Sequence, residues 1–89
     1  MVQITFADSI QRHVPTPPVE TDGGVLRDVL AGVFATREQL RGYILDDQGS
    51  LRFHLAVFID GDQITDPQGL SDEVPDSADI HVIQALSGG

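Results

Sequence analysis

The residues with the clearest potential for chemistry are the last five of the 89, Ala85-Leu86-Ser87-Gly88-Gly89. Glycine has no Cβ, so a Gly-Gly end can lie extended and pass through a gap as narrow as the backbone itself. A terminal carboxylate on such an end suits an enzyme that must thread the end into its own active site. Chain ends are also often disordered or left over from cloning, so the tail alone leaves both interpretations open.

Three histidines and two acidic pairs are the other candidates for chemistry. His13, His54 and His81 each fall in a predicted strand, and no Ser or Cys nucleophile stands at a recognisable motif. Isolated histidines of this kind are more often structural than catalytic. Asp46-Asp47 and Asp72-Glu73 lie in predicted turns, where solvated carboxylates are far commoner than general acids or bases. We therefore predict no catalytic residue in the fold and expect that the chain is not an enzyme.

Composition narrows the class of protein. A length of 89 residues indicates one domain with a modest core. The chain has no cysteine and no His, Asp and Glu cluster with the spacing of a zinc site, so we expect neither disulfides nor bound metal. No apolar run approaches ~18 residues and no signal-peptide pattern opens the chain, which predicts a cytoplasmic protein without membrane contact.

Charge is acidic and unevenly distributed. The net charge is −9, and the five basic residues are all arginine. Residues 1–52 carry seven acids and all five arginines, whereas residues 53–89 carry seven acids and no arginine. Phosphate binding needs a basic face, which argues against a nucleic-acid partner. The acidic third fits a basic protein partner, or a surface that only maintains solubility.

The first half of the chain predicts a hairpin followed by one helix. Residues 2–6 alternate apolar and polar, as a half-buried strand does. Residues 10–20 continue the extended pattern but contain three prolines, so this second strand should lie at a sheet edge or be interrupted. Thr21 or Asp22 could cap the helix. The helix has one apolar stripe, made by Leu26, Val29, Leu30, Val33 and Phe34. Residues 37–49 then connect this helix to the next strand, with a short helical turn expected near residues 38–40 and a turn at 46–49.

The second half predicts three strands. Residues 51–59 give the strongest pattern, and Asp60-Gly61 predicts a type I′ hairpin turn into a return strand at 63–65. After a turn at 66–69, candidate core contacts are Leu70, Val74 and Pro75. Residues 79–86 form the last strand.

Alternation assigns the side chains of these strands to two faces. Leu55, Val57 and Ile59 share one face, and Ile80 and Val82 lie on the inner face of the last strand. Phe58 and Ile83 then point to the opposite face. With Leu86 and Ser87 they form a predicted partner-docking patch, because an exposed apolar patch marks a binding surface. A loop that covers the patch is the alternative.

The element order is strand, strand, helix, strand, strand, strand. One amphipathic helix against one mixed sheet of about five strands is an α+β two-layer domain. With the first and last strands at the centre, it would be a β-grasp fold. We expect residues 1–86 to form this domain and residues 87–89 to form a flexible Ser-Gly-Gly tail.

These features together resemble the ubiquitin-like sulfur-carrier proteins. That family includes the small subunit of molybdopterin synthase, the thiamin sulfur carrier and the carrier of a cysteine pathway. The matching residues are the run 55–61, which ends in Asp-Gly, the strand 79–83, and the terminal Gly88-Gly89. Their order and spacing cover nearly the whole chain. Ala78-Asp79 stands where the family usually has Gly-Asp, which leaves the branch and the activating enzyme open.

The resemblance implies a mechanism in which the chain is a substrate rather than a catalyst. An E1-like activating enzyme would use ATP and magnesium to adenylate the carboxylate of Gly89, which follows Gly88. A sulfur donor would then displace the adenylate and leave a thiocarboxylate. A downstream synthase would accept that sulfur in a biosynthetic pathway for molybdopterin, cysteine, thiamin or a secondary metabolite.

Two alternatives remain at the level of sequence. A protein modifier of the same fold would be joined through Gly89 to lysines of target proteins. A non-covalent β-grasp interaction domain would carry its two glycines by accident. Mass analysis separates the three, because they predict a thiocarboxylate, target adducts or neither.

Overall fold

The structure, a computed structural model, describes residues 1–84. The elements are β1 (Val2–Phe6), α1 (Asp8–Gln11), β2 (Val19–Thr21), β3 (Gly24–Val25), α2 (Leu26–Phe34), α3 (Glu38–Ile44), β4 (Leu55–Ile59), β5 (Asp62–Gln63), β6 (Glu73–Val74) and β7 (Asp79–Gln84). Five strands form a sheet in the order β2-β1-β7-β4-β5, and β3 pairs with β6 separately. The first and last strands run parallel at the centre. The predicted β-grasp arrangement of an α+β domain is confirmed.

The core lies between α2 and one face of the sheet. The stripe predicted for α2 is buried, with Leu26, Val29, Leu30, Val33 and Phe34 each at most 4% exposed. Val57, Ile80 and Val82 face it from the sheet and are fully buried. The alternation predicted for β4 and β7 therefore assigns the inner face correctly. Ile59, at the end of β4, is only partly buried against this core.

The N-terminal hairpin is confirmed as a pairing but is shorter than predicted. β2 pairs antiparallel with β1 at the edge of the sheet, as the prolines indicated. The extended pattern expected from residue 10 onward is wrong, because α1 occupies residues 8–11. Ile10 is fully buried from this helical turn, so core contact replaces strand pairing there.

The predicted cap of α2 by Thr21 or Asp22 is wrong. Thr21 is paired with Val2 in β2, and the helix begins after Val25 without a side-chain cap. Instead, the N–H groups of Leu26 and Arg27 donate to carbonyl oxygens of the loop at residues 70–72, each at 2.8 Å. These bonds satisfy donors that would otherwise lack intrahelical partners.

The connection between α2 and β4 contains more helix and less strand than predicted. The expected turn near residues 38–40 is α3, which runs to Ile44 because Leu40 and Ile44 are both fully buried four residues apart. β4 begins at Leu55 rather than at residue 51. Residues 52–54 form a turn closed by a bond from the Leu55 N–H to the Arg52 carbonyl at 3.0 Å.

The turn between β4 and β5 contains two residues with a left-handed backbone conformation. Asp60 (φ 51°) and Gly61 (φ 87°) both have positive φ, which confirms the type I′ prediction. β5 is Asp62–Gln63, one residue earlier than the expected return strand. Leu70 and Val74 are buried as predicted. Pro75 is exposed, which corrects the prediction of a core contact, and Ala78 enters the core three residues later.

Candidate partner-binding site at the carboxyl end of β7

The central strand β7 is the last element of the part of the chain that the structure describes. β7 pairs with β1 on one side and β4 on the other, and Gln84 lies opposite Leu55. The N–H of Ala7 donates to the carbonyl of Val82 at 2.9 Å, so pairing on the β1 side reaches nearly as far. The predicted sulfur-carrying residues Gly88 and Gly89, and the docking residues Leu86 and Ser87, lie outside the described residues. Their roles stay predictions.

The outer face of the sheet carries the other two predicted docking residues. Phe58 lies opposite His81, and Ile83 lies opposite Ala56, so Phe58 and Ile83 are diagonal neighbours at about 7–8 Å between Cα atoms. Ile83 is 37% exposed. Phe58 is partly buried rather than exposed. The face assignment is therefore right for both residues, but Phe58 offers less free surface than expected.

Acidic residues gather at the opposite end of the sheet. Asp60 follows β4 and Asp79 begins β7, and the two bind each other: the Asp79 N–H donates to the Asp60 carboxylate at 2.9 Å, and the Asp60 N–H to the Asp79 carbonyl at 2.8 Å. Asp62 is exposed in the same hairpin. β7 separates this end from Gln84 by roughly 17 Å at ~3.3 Å per residue. The acidic end is therefore remote from the start of the tail.

Two of the three histidines join a row of aromatic rings. His13 stacks on Tyr43, with ring centroids 5.1 Å apart. Tyr43 meets His54 edge to face at 5.9 Å, and His54 meets Phe53 in the same way at 5.8 Å. His81 is exposed on the outer face of the sheet. The structure thus gives His13 and His54 a packing role, and it shows a row that the strand assignment of residues 51–54 had hidden.

The carboxylates of Asp66 and Asp72 accept hydrogen bonds within the loop that caps α2. Asp72 accepts from the N–H and hydroxyl of Thr65 and from the N–H of Asp66. Asp66 accepts from the Ser71 hydroxyl at 2.6 Å and the Gly69 N–H at 3.0 Å. The Ser71 bond lowers the pKa of Asp66 below its usual 3.8, and the bond from the Thr65 N–H does the same for the pKa of Asp72.

These loop carboxylates are structural acceptors. Sequence reasoning had treated Asp72 only as a solvated turn acid, although Asp66 and Gly69 stand three residues apart in a pattern typical of side-chain-stabilised turns. Asp46 has the same function in its own turn, where its carboxylate accepts from the N–H groups of Gln48 and Ser50. Their geometry explains local structure and does not suggest acid–base catalysis.

Within residues 1–84, no group of three or more His, Asp or Glu side chains is placed to hold a metal ion. Over the same residues, no helix is both long and apolar enough to cross a membrane. An open cleft of about 870 Å³ lies beside Phe53 and His54, and polar groups including Asp46 and Asp66 line it.

Comparison with solved structures finds the same architecture over nearly the whole chain. A chain of the Amycolatopsis orientalis BexX/CysO complex aligns with a TM-score of 0.80 at 16% identity, covering 100% of both chains. SAMP1 from Haloferax volcanii aligns with a TM-score of 0.75 at 18% identity, over 99% of this chain and 98% of that one. The chain has the ubiquitin-like β-grasp fold.

A third solved structure agrees with this fold. Urm1 from Sulfolobus solfataricus aligns with a TM-score of 0.67 at 15% identity, over 92% of this chain and 97% of that one. No model of a protein family matches the sequence, and neither does any curated protein. At these identities the similarity establishes the fold, and the resemblance inferred from residues 55–61 and 79–83 is confirmed at that level.

Proposed function

We propose that this protein is a ubiquitin-like sulfur carrier whose Gly89 carboxylate is adenylated and then converted to a thiocarboxylate. The observation that carries the proposal is the position of β7. The strand that precedes the two glycines is the central strand of the sheet. The same fold occurs in a complex of CysO with BexX and in Urm1. Pairing on both sides fixes β7 in the sheet, and two glycines without side chains could enter a narrow active site.

The chemistry requires one activation and one displacement. An oxygen of the Gly89 carboxylate attacks the α-phosphorus of ATP and pyrophosphate leaves, which gives an acyl-adenylate. Sulfur at the oxidation level of sulfide, delivered by a donor as hydrosulfide or its equivalent, attacks the acyl carbon. AMP leaves with the original oxygen, and the product is a thiocarboxylate. ATP, magnesium and the catalytic groups belong to the E1-like activating enzyme, and a downstream synthase accepts the sulfur.

The absence of lysine supports this proposal. All five basic residues are arginine, and arginine stays protonated in proteins and so is a poor nucleophile. An acyl-adenylate at Gly89 would meet no ε-amine of its own chain or of a second copy. An activated end with few competing amines should survive long enough to react with sulfur.

Intact-mass analysis tests the proposal. With ATP, magnesium, the activating enzyme and a sulfur donor, the protein should gain the mass of one oxygen-to-sulfur exchange, localised to the C-terminal peptide. Deleting Gly89, or adding one residue after it, should abolish the gain, while Gln3→Ala, at an exposed position on β1, should retain it as the control. The mass of protein purified from its own cells would also establish the residue at which the mature chain ends. A Gly89 deletion that still gains the sulfur would refute the proposal.

A second function, protein modification, is favoured by the similarity to small archaeal modifier proteins. A small archaeal modifier protein from Methanosarcina acetivorans shares the fold with a TM-score of 0.71 at 24% identity. The modifier function would use the same adenylate but transfer the acyl group to lysines of other proteins. Peptides that carry a Gly-Gly remnant on lysine, found in cells expressing the full chain and missing after deletion of Gly89, would support it.

A further inference from the structure

The aromatic row lies at the same end of the domain as Gln84, the last residue of β7. His54 directly precedes Leu55, which pairs with Gln84. His13 follows α1, which begins just after the point where the Ala7 N–H binds Val82 near the end of β7. Tyr43, from α3, stands between the two imidazoles. Residues from three separate segments thus meet beside the exit of β7.

The last member of the row, Phe53, has an unusual environment. Its side chain is 94% exposed, although phenylalanine is normally at least partly buried. The contact with His54 at 5.8 Å ties one edge of the ring to the row. Arg52 is fixed beside it, because its Nε donates to the carbonyl of Gly42 at 3.0 Å. The ring is therefore presented from a supported turn.

We propose that Phe53 is the anchor by which the tail-activating enzyme recognises this carrier, with His13, Tyr43 and His54 as its rigid support. The proposal rests on the proposed function. Five residues follow Gln84, and a fully extended chain spans at most ~3.3–3.6 Å per residue. An active site holding Gly89 therefore lies within roughly 17 Å of Gln84, and the surrounding enzyme surface must cover this end of the domain.

The chemistry of the row defines the partner surface. A benzyl group anchors best in a fully desolvated apolar pocket, and aromatic residues are enriched among the few positions that dominate binding energy. Asp46 and Asp66 line the cleft next to Phe53, so basic groups at the rim of that pocket would complement them. Asp60, roughly 17 Å away along β7, does not line that cleft.

The test is ATP–pyrophosphate exchange by the E1-like adenylating enzyme of the same organism, with the full-length carrier as the varied substrate. Phe53→Ala should lower kcat/KM about tenfold or more, mainly through KM, because the variant weakens docking and leaves Gly89 intact. Phe53→Tyr keeps the ring and should restore the rate. Gln3→Ala is the control and should match the wild type, because Gln3 is exposed on β1 opposite Asp79, at the far end of the sheet. Thermal melts of all variants should coincide.

The outcomes separate this inference from the proposed function. A wild-type chain that supports exchange, together with a Phe53→Ala variant of equal KM, would overturn the anchor and leave the carrier function standing. A wild-type chain that supports no exchange would overturn the carrier function and the anchor with it. If Phe53→Ala lowers kcat but leaves KM unchanged, the ring does not dock, and the anchor is again refuted.

Discussion

Substitutions at two neighbouring side chains of the sheet, Val57 and Ile83, should have separate effects on the stability of the fold and on the affinity for a partner. Val57 on β4 is fully buried, whereas Ile83 on β7 is 37% exposed on the outer face. Removing one buried methyl group, as in Ile→Val, costs about 0.5–1.5 kcal/mol, so the two methyl groups lost in Val57→Ala should cost about 1–3 kcal/mol. Ile83→Thr keeps the β-branched shape that strands favour and should cost about 0.5–1 kcal/mol.

These losses in the free energy of unfolding predict the change in melting temperature of each variant. One kcal/mol shifts Tm by about 4–8 °C in a domain of 60–100 residues. Val57→Ala should therefore lower Tm by about 4–24 °C and still fold, because a domain of this size has a total stability of about 4–13 kcal/mol. Ile83→Thr should lower Tm by less than about 8 °C. Phe58→Ala should fall between them, since the ring is partly buried and full burial would make its loss cost about 3–5 kcal/mol.

Binding should follow the opposite order. Titrated against the adenylating enzyme below either melting temperature, Ile83→Thr should weaken binding several-fold, while Val57→Ala should bind as the wild type does. Thermal melts and isothermal titration on the same samples provide both measurements. If Ile83→Thr lowers Tm by more than about 8 °C, the outer face is covered and the docking patch is wrong. If both bind normally, the open sheet face is not part of the interface.

Three further predictions concern local structure. The hydrogen bonds to Asp66 and Asp72 lower the pKa values of both carboxyl groups, so the stability that these bonds add is present above the usual Asp pKa of 3.8. It is lost as pH falls through the lower folded values. Asp72→Asn should therefore reduce the fall of Tm at acid pH, whereas the control Asp47→Asn, at an exposed turn position, should not. Gly32→Ala should raise Tm by about 4–8 °C, because a Cβ there meets open space in α2 and alanine is favoured by up to ~1 kcal/mol. Gly61→Ala should instead lower Tm, since φ is 87° and the left-handed region costs other residues about 1–2 kcal/mol; equal melting of the two variants would contradict both assignments.

Periodicity predicted those parts of the fold that bury one continuous face. The stripe of α2 and the alternation of β4 and β7 follow from burial against a single core, which is why the faces of Val57 and Ile83 could be assigned from the sequence. The same reasoning failed at residues 51–54. Leu51, Phe53 and Leu55 alternate as a strand would, yet Phe53 is 94% exposed because it lies in a turn.

Non-local bonds explain the other errors. The cap of α2 could not be found near Thr21 or Asp22, because carbonyls some 45 residues later in the chain, those of Leu70 and Asp72, take the helix N–H groups. Leu70 even adopts φ 53° in this loop, a conformation that no local preference of leucine would suggest. The candidate site also has a predictable and an unpredictable part. The docking face of the sheet could be predicted from the alternation of side chains. The row of His13, Tyr43 and His54 could not, because it forms only where three distant segments meet.

The positions of charge and aromatic surface suggest how a partner would approach. Asp60 and Asp79 stand where β7 begins, and the aromatic row stands where it ends, roughly 17 Å away at ~3.3 Å per residue. An acidic end that faces away from the enzyme can still orient the carrier in the field of a basic partner, since such fields act beyond contact distance at low salt. Short-range recognition would then depend on Phe53 and Ile83 near the tail. Neutralising Asp60 should therefore affect the association rate more than the stability of the complex, whereas truncating Phe53 should affect dissociation.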